Sequence, residues 1–208
     1  MIKSYLQNNY GYNEPIILNE LTIDGVSENA IRQSVKRLTA NGYLKRYDTG
    51  IYYIPKPTSL LGTSYLDPTL VIRRKFIQNR SEIYGYVTGI SFANQLGLTT
   101  QMPAVIEVVT NREATNGRTV TIGNQKVRIK KPSIEISISN ADILQLLDGI
   151  GQVEKYTELP KEETINRIAA YIRKMGFSQK QLSEVSPCLT GPTAKKLIEW
   201  GIIYEFTP

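Results

Sequence analysis

The 208-residue chain has no histidine. That absence removes the Ser-His-Asp and Cys-His nucleophile systems, His-ligated zinc and imidazole acid–base catalysis. Cysteine occurs once, as Cys188, so neither an intrachain disulfide nor a CxxC metal site is expected. No window reaches the roughly 18 apolar residues of a membrane span: Glu107 follows Val105-Ile106, and Ile134, Ile136 and Ile138 alternate with Glu135 and Ser137. The first residues, Met1-Ile2-Lys3-Ser4-Tyr5-Leu6, lack the apolar core of an export signal. A lone thiol without such a signal leads us to expect a cytoplasmic protein with no membrane partner.

Motifs for phosphate and metal chemistry are also missing. Neither GxGxxG nor GxxxxGK[ST] occurs. A nuclease that holds Mg²⁺ needs a carboxylate followed by Glu/Asp-x-Lys. Glu107 lies in a suitable run, but Glu107-Val108-Val109 lacks the lysine, and Gln125-Lys126-Val127-Arg128 lacks the carboxylate. Cys188 reads as a small packed residue, since nothing nearby in sequence activates it. We therefore expect no enzyme, no cofactor and no bound metal.

Charge is present, and it is uneven. The net +6 divides into +2 over residues 1–57, −1 over 58–70, +7 over 71–131 and −2 over 132–208. A binding role for an acidic partner such as nucleic acid gains weight from that middle segment.

Residues 1–57 read as a winged helix-turn-helix. Ile2, Tyr5 and Leu6 have helical spacing; Ile17, Leu18 and Leu21 suggest a second short helix after Pro15. Ser27 is a suitable N-cap for a third, on which Ile31, Val35 and Leu38 form the inner face, with Asn41-Gly42 as its stop. Asp48-Thr49-Gly50 then separates two β-prone runs, which make the wing, 43–54. On the reading helix, 27–41, the residues Asn29, Arg32, Gln33, Lys36 and Arg37 fall away from the apolar stripe. Arg pairs with guanine, Asn or Gln with adenine, and Lys with phosphate, so these side chains suit DNA. Any surface helix also carries polar residues opposite its core, and the wing cations Lys45 and Arg46 are what favour nucleic acid over that plain reading.

Residues 58–208 read as a mixed α/β domain with a helical tail from about 140. Pro55–Ser59 and Asp67-Pro68 mark a linker, and Pro68 opens a helix through Val71, Ile72, Lys75 and Phe76. Thr88 is expected to cap a helix that turns Phe92, Ala93 and Leu96 inward and stops at Gly97. Val105–Val109 reads as a buried strand. Thr119–Ile122 and Gln125–Lys130 flank Gly123-Asn124, a tight antiparallel hairpin with Lys126, Arg128 and Lys130 on one face. Arg73, Arg74 and Lys75 would enlarge that basic surface; a solvated outer sheet face is the plain alternative. Ile134, Ile136 and Ile138 suggest a further strand, and Asn140 the cap of a short helix. Ile165, Ile168, Ala169, Ile172 and Met175 mark a long amphipathic helix; Ser178 with Gln181 forms a capping box. Thr190-Gly191-Pro192 opens a final helix reaching Trp200. The expected class is α+β.

Two blocks carry a resemblance. The run Ala30–Leu38, then Asn41–Arg46, then Gly50–Tyr53, resembles the winged-helix segment of AbiEi-like antitoxins, the type IV antitoxins of the abortive-infection E system. Ala93-Asn94-Gln95-Leu96-Gly97-Leu98-Thr99-Thr100-Gln101-Met102-Pro103-Ala104, followed by Ile122-Gly123-Asn124-Gln125, resembles one branch of that family. The likeness spans about residues 20–132. It implies a DNA-binding repressor that recognises inverted repeats in double-stranded DNA at its own promoter. It also implies an antitoxin that counters a nucleotidyltransferase toxin without requiring a stable complex, and it offers no catalytic residues to transfer. The alternative is a transcriptional regulator whose second domain senses a ligand or dimerises; a cryptic metal-dependent nuclease is a third reading.

Overall fold

A computed structural model describes residues 2–58, 62–115 and 117–208; Met1 and Ser59, used above, lie outside them. The class is α+β, and contacts divide the chain into two compact units. The first comprises residues 1–75 with 122–124, the second 76–121 with 125–208. The expectation had placed the division at residue 57; it falls after Lys75.

In the first unit, α1 (Ile2–Tyr10) is followed by β1 (Ile16–Ile17), a 3₁₀ turn (Leu18–Glu20) and α2 (Glu28–Ala40). The strands β2 (Lys45–Asp48) and β3 (Ile51–Tyr53) join β1 in a sheet of order β1-β3-β2. The second helix expected from Ile17, Leu18 and Leu21 is thus a strand and a single 3₁₀ turn. The β-branched pair Ile16-Ile17 pairs antiparallel with Ile51 and Tyr52, and a ladder satisfies its backbone where only three residues remain for a helix. Leu6, Ile16, Ile31, Val35, Leu44 and Ile54 make the core. The unit continues through β4 (Pro57–Thr58), β5 (Gly62–Thr63) and α3 (Pro68–Ile72), where Asp67 caps the helix by accepting from Thr69 N at 2.8 Å. A π turn, Arg73–Ile77, follows; the division falls within it, and Phe76, buried, opens the second unit.

The second unit contains β6 (Gly85–Thr88), α4 (Ile90–Gln95), β7 (Val105–Thr110), β8 (Arg118–Ile122), β9 (Gln125–Lys130) and four helices. These are α5 (Ala141–Tyr156), α6 (Lys161–Met175), α7 (Gln179–Val185) and α8 (Gly191–Glu199). The sheet has the order β6-β7-β9-β8, with β6–β7 antiparallel and β7–β9 parallel. The hairpin around Gly123-Asn124 is present, with Ile122, Val127 and Ile129 buried and Thr121, Lys126 and Arg128 exposed. Phe92, Leu146, Ile150, Ile168, Ile172 and Phe206 anchor the core.

Four local expectations are corrected. Thr88 does not cap α4: it ends β6, its buried hydroxyl donates to Asp148 at 2.5 Å, and Gly89 takes the cap position with φ 64°. The Ile134–Ile138 alternation is not a strand. The Asn111 side chain accepts from Ile136 N and donates to Ile136 O, both at 2.8 Å, replacing a neighbouring strand. The helix after Asn140 is not short but runs 16 residues. Met175 is not inward but exposed, one residue before the left-handed Gly176 that ends α6. The Ser27 and Thr190 caps and the Ser178–Gln181 capping box form as expected.

Candidate nucleic-acid interface

Helix α2 is capped and packed on the core of its unit. Ser27 Oγ accepts from Ala30 N at 3.3 Å, Glu28 sits in the first turn, and the chain leaves the helix through Gly42 at φ 78°. Ile31, Val35 and Leu38 are buried beneath it. Asn29, Arg32, Gln33, Lys36 and Arg37 are all exposed on the other side. Arg32 lies 3.7 Å from Glu28 in a solvated i,i+4 pair, an attachment too weak to withhold it from a ligand. The side chains of Asn29, Gln33, Lys36 and Arg37 make no hydrogen bond or ion pair with the described residues. Four donors and acceptors therefore stand ready on one helical face, costing no internal bond on engagement.

The wing is more occupied. Arg46 Nε donates to Asp48 O at 3.2 Å and its Nη2 to Thr49 Oγ1 at 3.1 Å, folding the guanidinium back over the wing turn. Lys45 Nζ stands 5.7 Å from the Tyr65 ring centroid, within cation–π range. A register shift between Arg46 and Asp48 marks a bulge that turns this edge. Near the start of the unit, Tyr43 donates to Gln7 Oε1 at 3.0 Å while Lys3 covers its ring at 4.5 Å. Burial lifts the Tyr43 phenol above its ordinary value, so it remains a neutral donor.

The expected basic surface after residue 58 draws on both units: Arg73, Arg74 and Lys75 belong to the first, and Lys126, Arg128 and Lys130 to the second. Arg74 is half-buried and bonded to Glu20 at 2.9 Å. Lys130 is held by Glu107. Lys126 and Arg128 stay exposed on β9, where Arg128 pairs in register with Glu107 and Lys126 with Val105. Strand periodicity predicted which residues share a face, but only the fold could bring the neutralising carboxylates to them.

A family described as a "Family of unknown function (DUF6088)" matches residues 9–180. The chain belongs to DUF6088. No curated protein matches it. Among the described residues of this DUF6088 member, no group of three metal-binding side chains occurs, and no helix is long and apolar enough to cross a membrane.

Sequence reasoning overlooked a second feature, a cavity of about 430 Å³ in the second unit. Its polar lining includes Tyr86, Asp148, Gln152 and Lys131. A signal existed: Asp148 interrupts the apolar stripe Leu144, Leu147, Gly151 along α5.

Proposed function

We propose that this DUF6088 protein is a sequence-specific double-stranded DNA-binding antitoxin that represses its own operon in the cytoplasm. In this reading α2 enters the major groove, where Arg32, Gln33 and Asn29 meet base edges and Lys36 and Arg37 meet phosphates. The wing approaches the flanking backbone through Lys45 and Arg46. One observation carries the reading: a capped, core-anchored helix exposes five DNA-compatible side chains on a single face, four of them without a partner among the described residues. The resemblance to AbiEi-like antitoxins supplies the rest, namely inverted repeats as the operator and a nucleotidyltransferase toxin as the target countered by the later part of the chain. The reading assigns no catalysis, cofactor or metal.

Titration of wild type, Arg32→Ala and Lys45→Ala against promoter and random duplexes at several salt concentrations tests it. Arg32→Ala should lose about 1–3 kcal/mol on the promoter duplex and relax selectivity there. Lys45→Ala should weaken both duplexes alike and flatten the salt dependence. Equal, salt-insensitive losses for both variants would exclude direct readout. Growth rescue by co-expression with an adjacent nucleotidyltransferase gene tests the antitoxin half. The alternative, a transcriptional regulator whose second unit senses a ligand, is favoured by the cavity beneath α5.

A further inference from the structure

We propose that the cavity of the second unit binds a small amphipathic acid that also carries a hydrogen-bond donor. This inference is independent of DNA recognition and gives the ligand-sensing alternative a chemical class.

The cavity has a defined floor. Tyr86, Val109 and Lys130 lie side by side at one register position across β6, β7 and β9. Leu144 and Leu147 of α5 form an apolar wall, and Ile134 and Leu189 add to it from the flanking segments. Its volume of about 430 Å³ falls in the range of small-molecule sites, which pair apolar walls with a few directed polar groups.

The polar groups are of two kinds. Asp148 accepts from Thr88 Oγ1 at 2.5 Å and from Gln152 Nε2 at 2.8 Å, one bond on each oxygen. Both donors are neutral, and Asp148 forms no ion pair among the described residues. A carboxylate accepts about four hydrogen bonds, so it retains capacity for a donor on a ligand. The Tyr86 hydroxyl makes no hydrogen bond with the described residues, and burial, then the Asp148 charge, then Cys188 push its phenol up. It therefore stays protonated, beside a carboxylate, at the cavity floor.

The cationic side is separate. Lys130 is committed to Glu107, whereas Lys131 is exposed and forms no ion pair among the described residues. The first turn of α8, around Pro192 and Thr193, also lines the cavity and adds the positive end of a nine-residue helix. An anionic head suits Lys131, an N–H or O–H suits Asp148 and Tyr86, and an apolar body suits Leu144 and Leu147.

Cys188 lines the same cavity, is partly exposed and is the chain's one thiol. Its alkylation by N-ethylmaleimide, followed by intact mass, therefore reports occupancy without DNA. Three probes separate the chemistry: indole-3-propionate has acid and donor, its N-methyl analogue lacks the donor, and tryptamine lacks the acid. At saturation, indole-3-propionate should slow alkylation at least fivefold, the N-methyl analogue clearly less, and tryptamine not at all. Lys131→Glu, a surface change, should remove the protection; Tyr86→Phe should narrow the gap between the two acids. The proposal is overturned if indole-3-propionate gives no protection, if either control protects equally, or if protection survives Lys131→Glu.

Discussion

Glu113 shows what a single side chain does where the chain turns after β7. Oε1 accepts from the Thr115 amide at 3.0 Å and the Thr115 hydroxyl at 2.6 Å, while Oε2 accepts from Arg118 Nε at 2.8 Å. The Thr115 hydroxyl above all, with Arg118, holds its carboxyl down at about 2. In the unfolded chain a glutamate titrates near 4.3, so the ionised form favours folding at any pH above roughly 4.3. That contribution fades as pH falls from about 4.3 towards about 2, where the folded carboxyl itself protonates. A carboxyl-detected NMR titration should place Glu113 near 2, and Thr115→Val should raise it and move acid unfolding to higher pH. An unchanged titration in Thr115→Val would remove the hydroxyl from the account. Little of this was visible in the sequence, because no periodicity or motif links Glu113, Thr115 and Arg118 before the turn closes on itself. Asn111 was hidden for the same reason: its side chain bonds the Ile136 backbone, in the place of the strand neighbour that the Ile134, Ile136, Ile138 alternation suggests. The outer face of α2 was fully legible, since exposure there follows from helical spacing and three apolar residues alone.

Among the elements, α5 departs furthest from its sequence reading. Gly149 and Gly151, residues unfavourable in a helix interior, both lie inside sixteen helical residues. They are there for proximity. A Cβ at position 149 would stand 2.7 Å from the Phe92 ring, and one at 151 would stand 2.6 Å from Thr193 Oγ1. Alanine in an exposed helix gains about 1 kcal/mol over glycine. Against the fully buried Phe92, overpacking of about 1–3 kcal/mol opposes that gain. Gly149→Ala should therefore lower the urea midpoint, whereas Gly176→Ala, with open space but φ 67°, should lose stability through backbone strain alone. A Gly149→Ala variant as stable as wild type would mean that Phe92 can shift. The second helix of the first unit failed in the opposite way. Leu18 and Leu21 gave a helical spacing, but Ile16 and Ile17 had already committed the backbone to a ladder with β3.

At the scale of the whole molecule, the division after Lys75 changes how the first unit, proposed above to bind DNA, should be excised. Tyr53 Oη donates to Ser64 O at 3.3 Å, Ser64 N donates to Lys56 O and Lys56 N to Ser64 Oγ, both at 2.9 Å, and Arg74 meets Glu20 at 2.9 Å. A fragment ending at residue 57 severs all of these. Fragment 1–75 should melt at higher temperature than 1–57 in circular dichroism; coincident melts would show that 58–75 adds nothing to the unit. The uneven charge gives the intact chain its own signature. Ion pairs with Glu20 and Glu107 occupy part of the basic middle segment, so net charge overstates the cations available to phosphate. In the DNA complex proposed above, each phosphate contact contributes a slope of about 0.9 in log K against log salt, so the slope should count the cations left over. Strand β9 has a further consequence, for the order of folding. It is joined to β8 by a two-residue turn but closed on its other side by β7, in parallel. The ribbon β8–β9 can assemble locally within microseconds, whereas its seat beside β7 waits on a longer loop closure. Until then the inner edge of β9 is an unpaired strand bearing Val127 and Ile129, open to a second molecule. Aggregation during refolding should accordingly rise with protein concentration while β7 is undocked, and Lys126 and Arg128, alternating along that edge, are the charges that restrain it.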